Sequence, residues 1–117
     1  MSSFVIEGGY SLKGKIKPQG AKNEALQVIS SVLLTSEEVI IENIPDIIDV
    51  NRLIEILTLI GVKVEKLNSG KYSFKADKLE LEFLKSEKFI ILSKSLRGSI
   101  MIVGPLLSRF GFGSIPK

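Results

Sequence analysis

An α/β (α+β) fold is predicted for this 117-residue chain, and two observations predict it. Strand-like and helix-like hydrophobic periods alternate up to residue 76 in the order strand, strand, helix, strand, helix, strand, strand. Two stretches, KNEALQVISSVLL and LRGSIMIVGPLLSRF, carry helical apolar stripes so wide that each helix is expected to be buried on most sides. A chain of this length supports one core, burying roughly two-thirds of its unfolded surface.

Each element has its own reason. Residues 4–7 and 12–17 read as strands about the Gly8-Gly9 turn, an N-terminal hairpin within residues 1–20. In the first helix, residues 22–34, Ala25, Leu26, Ile29, Val32 and Leu33 fall at helical spacing, and Val28 and Leu34 widen the stripe. Residues 39–42 form a β-branched strand, and the loop 43–48 holds Pro45. Asp49 can then cap a helix that runs to Ile60 and stops at Gly61. Residues 62–67 and 71–76 alternate across Asn68-Ser69-Gly70 as a hairpin. Residues 79–84 read as a further strand, and 89–92 fit strand or helix equally. The last helix starts near Ser95, with Pro105 expected to kink it or to start a new turn.

Composition removes whole classes of chemistry. Without cysteine or histidine, the chain has no disulfide, no thiolate nucleophile, no thiolate or imidazole zinc site and no serine-histidine pair. Carboxylates, lysines and tyrosines remain as acid-base candidates. The beginning, MSSFVIEGG, lacks the pattern of a signal peptide, and no apolar run reaches the ~20 residues of a membrane span. A soluble cytoplasmic protein without membrane attachment is the expectation. The net charge of +3 comes from scattered lysines, which argues against a nucleic-acid partner. Lys13, Lys15 and Lys17 alternate on one face, where they either track phosphates or protect an edge strand from pairing.

The stretch PQGAKNEALQVISSVLL raises a specific question. The start of a helix carries about half a positive charge, so acids are preferred in its first turn, yet Lys22 stands there. Beside Gly20, whose lack of a side chain lets a ligand approach the free N–H groups, that lysine builds an anion site. On the residues alone, Lys22 is equally well solvated or paired with Glu24, and Asn23 equally well a capping residue. The two apolar helices align on a shift of 74 residues, placing Val32-Leu33 on Leu106-Leu107, Ile41 on Ile115 and Arg97 on Asn23. Both repeats thus start with a cation, although a lone arginine often covers apolar surface with its stem.

The stretches GAKNEAL, LLTSEEVIIENIPDIIDV, LIGVKVE and LRGSIMIVGPLLSRFG resemble the N-terminal part of the enolpyruvyl transferase family, in its UDP-N-acetylglucosamine 1-carboxyvinyltransferase branch. The resemblance covers nearly the whole chain, in the family's order, but only about the first quarter of a typical member. The sister enzymes of aromatic biosynthesis typically carry serine after this lysine; here Asn23 follows Lys22, as in the sugar-nucleotide branch.

The resemblance implies an inside-out α/β barrel of repeated βαβαββ units with buried helices, incomplete here. Residues 1–20 would pair with a second lobe, while residues 21–117 would supply the first unit and the start of the second. It implies transfer of the enolpyruvyl group of phosphoenolpyruvate to the 3-hydroxyl of UDP-N-acetylglucosamine, with phosphate released, as the first committed step of peptidoglycan synthesis. Lys22 and Asn23 would bind phosphoenolpyruvate and Arg97 UDP-N-acetylglucosamine. No metal or cofactor is implied. The general acid, cysteine or aspartate, is expected beyond Lys117, so that activity needs the remainder of the enzyme. A stand-alone, non-catalytic binding module derived from that fold is the other reading.

Overall fold

In the computed structural model, which describes residues 2–114, the first apolar stretch forms helix α1, Lys22–Ser30, and tightens into a 3₁₀ segment at Ser31–Leu34. Leu26, Ile29, Val32 and Leu33 are buried along one face. The opposite face is open, with Val28 and Leu34 exposed, so α1 is not buried on most sides as its composition suggests. Helix α2, Ile48–Leu59, and the 3₁₀ segment Arg97–Ile102 pack on α1 and cover the buried face.

Strands β1 (Glu38–Ile41), β2 (Lys63–Asn68) and β3 (Lys71–Lys75) form an antiparallel sheet in the order β1-β3-β2. The predicted hairpin is β2-β3, its register shifted between Lys66 and Asn68. Its second strand becomes the centre of the sheet because β1 adds to it from across α2. Val39 and Val64 flank Phe74, which is fully buried and stacks on Tyr72 with ring centroids 6.0 Å apart. Val50, Leu53, Ile56 and Leu57 of α2 join Phe74 and the buried residues of α1 in a single core cluster.

The C-terminal third departs from its sequence reading twice. The strand expected at 79–84 is instead a loop and a 3₁₀ segment, Leu81–Lys85. There the Glu80 amide donates to the Ile60 carbonyl at 2.8 Å, and those of Phe83 and Ser86 donate to nearby turn carbonyls. With these donors already engaged, the segment has little to offer a ladder. Residues 89–92 are helical, inside helix α3 (Glu87–Ser95), which Ser86 caps by accepting from the Phe89 amide at 3.1 Å.

The last apolar stretch is not one helix. Arg97–Ile102 is 3₁₀, and helix α4 covers Val103–Phe110. Pro105 explains the break: inside a continuous α-helix its ring would collide with the carbonyl of Met101, whereas in the first turn of a new helix its missing N–H has no partner to lose. Of the two outcomes expected of Pro105, a new turn is the one found. The suggested repeat is correspondingly imperfect, since Asn23 lies in an α-helical first turn and Arg97 in a 3₁₀ one. Ile115, aligned with Ile41 by the same shift, lies outside the described residues.

The N-terminal strands are not formed. Residues 2–20 run without a strand, and Phe4, Val5, Ile6, Leu12 and Ile16 are each at least 86% exposed. An isolated two-stranded hairpin with no apolar face covered is marginal in water, which is the physical reason the pattern is not realised here. The extended segment also accounts for a radius of gyration of 17.5 Å, against about 13 Å for a compact chain of this size. Among the described residues no single helix is long and apolar enough to cross a membrane. The pair formed by α3 and residues 97–110 has the length, but it bends by 116° and buries Phe89, Ile102 and Leu106 in the core.

Candidate functional site

Helix α1 begins without a side-chain cap: Ala21 occupies the cap position in an extended conformation, and Asn23 does not close back on the helix. The first N–H groups therefore remain open beside Lys22. Lys22 does have an intrachain partner, and it is not Glu24. Its Nζ lies 3.3 Å from Asp49 Oδ2, both side chains being partly exposed. Asp49 is likewise not the cap expected of it. Ile47 holds that position, and Asp49 sits one step into the helix, in the first turn of α2, where the helix dipole favours a negative charge. Asp46 is a loop residue as read, its Oδ1 accepting from Asn51 Nδ2 at 2.9 Å.

The fold brings the three candidate ligands together. Lys22 and Asn23 from α1, with Asp49 from α2 and Arg97, Gly98 and Met101 from the 3₁₀ segment, line one cleft of about 380 Å³. Arg97 is exposed, and among the described residues it makes no ion pair. The cleft thus presents two cations and the carboxamides of Asn23 and Gln27 to solvent, with open helix N–H groups nearby, against a single carboxylate. Such a surface suits a ligand carrying more than one negative charge.

Gly20 has a different role from the one its position suggests. It does not adopt positive φ, and what approaches its backbone is the chain itself: an added Cβ would lie 2.1 Å from the Asn43 carbonyl oxygen and 3.0 Å from Pro45 Cδ. Gly20 seats the start of α1 against the loop between β1 and α2. Gly20→Ala is expected to destabilise the chain by about 1–3 kcal/mol, the usual range for forced overpacking. A lowered denaturant midpoint at unchanged slope is the measurement that checks it.

Sequence reasoning missed three residues around this region. Asp49 was legible only as a cap. Arg52 Nη1 donates to the Ser95 carbonyl at 3.1 Å, and Arg109 Nη1 donates to the carbonyls of Leu33 and Thr35 at 3.1 and 3.0 Å. The two arginines satisfy carbonyls at helix ends, and no pattern in a sequence names an acceptor 43 or 76 residues away. A larger hollow of about 660 Å³ lies between residues 17–20, the 42–46 loop and the β2-β3 turn. It mixes Lys17, Lys66 and Lys71 with Glu42 and Asp46 and contains none of the candidate ligands.

The profile of the family EPSP synthase (3-phosphoshikimate 1-carboxyvinyltransferase) matches residues 6–116. The chain belongs to the EPSP synthase family. Among family members, it is 56% identical over its whole length to the UDP-N-acetylglucosamine 1-carboxyvinyltransferase of Porphyromonas gingivalis and 55% identical to that of Bacteroides thetaiotaomicron, covering 27% of each. It is 37% identical over 95% of its length to the enzyme of the same name from Wolinella succinogenes, covering 25% of it. The chain therefore spans about a quarter of the length of these curated relatives. In structure it is similar to the enolpyruvyl transferase NikO from Streptomyces tendae, with a TM-score of 0.64 at 24% identity over 89% of this chain and 23% of that one. This EPSP synthase family chain thus has an enolpyruvyl transferase neighbour in fold, consistent with its mixture of helices and antiparallel strands.

Proposed function

We propose that this chain is the N-terminal part of an enzyme that transfers the enolpyruvyl group of phosphoenolpyruvate to the 3-hydroxyl of UDP-N-acetylglucosamine, releasing phosphate. The observation that carries the reading is the cleft itself: the adjacent Lys22 and Asn23 and the distant Arg97 line one concave surface. Over half-identity with enzymes named UDP-N-acetylglucosamine 1-carboxyvinyltransferase supports the choice of sugar nucleotide.

In this reading Lys22, with Asn23 and the open start of α1, holds the phosphate of phosphoenolpyruvate, and Arg97 holds the sugar nucleotide. A general acid contributed from beyond Lys117 protonates the enolpyruvyl methylene. The 3-hydroxyl oxygen then bonds to the resulting cationic carbon and loses its proton. The tetrahedral intermediate finally breaks its carbon–oxygen bond to phosphate and gives up a methyl proton, restoring the double bond. A fixed ammonium group beside the departing phosphate stabilises the charge that gathers there.

The exposed apolar side chains find their use in the same proposal. Phe4, Ile6, Leu12 and Ile16 become the buried face of strands once residues 1–20 pair with a second lobe, and the open faces of α1 and α4 become interior as βαβαββ units close into an inside-out barrel. The setting would be the cytoplasmic start of peptidoglycan synthesis.

Arg97→Ala in the complete enzyme tests the reading. A charged hydrogen bond to a ligand is worth about 1.5–3 kcal/mol, so UDP-N-acetylglucosamine affinity should fall roughly 10- to 100-fold with the melting temperature almost unchanged. Calorimetric titration showing unaltered affinity would remove Arg97, and with it the shared cleft, from the function.

A further inference from the structure

Two side chains one turn apart on α2 brace the two walls of the cleft. Asp49 reaches α1 through its 3.3 Å contact with Lys22 Nζ. Arg52, three residues on and so on the same side of the helix, donates from Nη1 to the Ser95 carbonyl at 3.1 Å. Ser95 ends α3, and only Leu96, almost fully buried, separates it from Arg97. The position of each candidate ligand-binding cation is thus referred to one helix, whose Val50 and Leu53 are locked in the core. The walls also touch directly: Gly98 lies against Leu26, where an added Cβ would come within 2.8 Å of Leu26 Cδ1.

From this bracket we propose that Asp49 and Arg52 are positioning residues, Asp49 holding the Lys22 ammonium at the cleft and Arg52 holding the backbone that carries Arg97. The inference rests on the proposed function and deepens it. A lysine has a long flexible stem, and orienting it before the anion arrives lowers the entropy lost on binding. Arg52 acts differently: its planar guanidinium satisfies a terminal carbonyl of α3 and stops that end from fraying into the turn that carries Arg97.

The sign of the Asp49 effect separates positioning from mere proximity. A carboxylate that only competes with the ligand for Lys22 would, once removed, leave phosphoenolpyruvate bound more tightly. A carboxylate that positions the ammonium leaves it bound more weakly, even though a negative charge has gone.

The test uses the complete enzyme proposed to contain this chain, titrated separately with phosphoenolpyruvate and UDP-N-acetylglucosamine while backbone amide NMR shifts are followed at Lys22, Asn23 and Gly98. Asp49→Ala is expected to weaken phosphoenolpyruvate binding about fivefold and leave UDP-N-acetylglucosamine unchanged. Asp49→Asn, which keeps an acceptor oxygen and nearly the same shape, should fall between wild type and Asp49→Ala. Arg52→Ala should show the converse selectivity, weakening UDP-N-acetylglucosamine about fivefold and sparing phosphoenolpyruvate. Equal or tighter phosphoenolpyruvate binding by both Asp49 variants overturns the inference, as does parallel loss of both ligands together with a lowered melting temperature. If the wild-type enzyme shows no shift with either ligand, the functional reading itself falls and the inference with it. Normal wild-type shifts reproduced unchanged in the variants remove the inference alone.

Discussion

Replacing Lys22 by alanine in the enzyme that contains this chain is expected to lower turnover about 10²- to 10³-fold, the effect of removing one charge-stabilising group from a site of this kind. The ammonium stands at the uncapped start of α1, and with Asp49, its partner among the described residues, it forms a partly exposed ion pair. Such a pair contributes about 0–1 kcal/mol, so the variant should fold and melt nearly as the wild type does. Circular dichroism and a steady-state phosphate-release assay check the two halves of this expectation. Near-normal turnover in a folded variant would show that Lys22 serves no reacting ligand.

The second large effect concerns the 117-residue chain by itself. Supplied with phosphoenolpyruvate and UDP-N-acetylglucosamine, it is expected to release no detectable phosphate. Within the cleft the charged groups are Lys22, Asp49 and Arg97, and Asp49 is already paired with Lys22. The proposed general acid is not among them, and loss of acid catalysis alone typically reduces rate by about 10²- to 10⁴-fold. Steady phosphate release by purified chain free of host enzyme would mean that the acid lies within these residues. That result would overturn the division of labour proposed above while leaving the family untouched.

The family has a practical consequence for how the exposed surface is read. Phe4, Ile6 and Leu12 in the N-terminal segment, Val28 and Leu34 on α1 and Leu107 on α4 are apolar side chains left in water. In the enzyme proposed above, such side chains would be places for its remainder to pack. The same side chains would make the chain prone to association when handled alone, so the phosphate-release assay of the isolated chain calls for dilute samples.

Much of the architecture was legible because its signals are local. The apolar spacing from Ala25 to Leu33 needs no partner to be recognised as helical, and the alternation on either side of Asn68-Ser69-Gly70 names a hairpin. Pro105 forecast a kink or a new turn for the same reason, since its ring and missing N–H act on the residues directly before it. The readings that failed depended on distant residues. Residues 79–84 alternate like a strand, but the Ile60 carbonyl at the end of α2 takes the Glu80 amide and turns the chain away. Residues 4–7 and 12–17 read as strands too, yet strands form only where something covers one of their faces.

The site divides along the same line. Residue type and position alone marked Lys22 as an unexpected cation at a helix start, because a helix dipole is a property of local backbone. The resemblance of GAKNEAL and LRGSIMIVGPLLSRFG to one family then joined Asn23 and Arg97 to it. What the chain by itself determined, therefore, was which residues are candidates and which elements carry them. Only the tertiary structure decided that Lys22 meets Asp49 rather than Glu24, that Gly20 fits against Asn43, and that Arg52 ties α2 to the end of α3. Each of these is a contact between elements whose separation is set by how Leu26, Val50, Leu53 and Ile102 fill the core. Packing is a many-body condition satisfied in three dimensions, and no period along the chain encodes it.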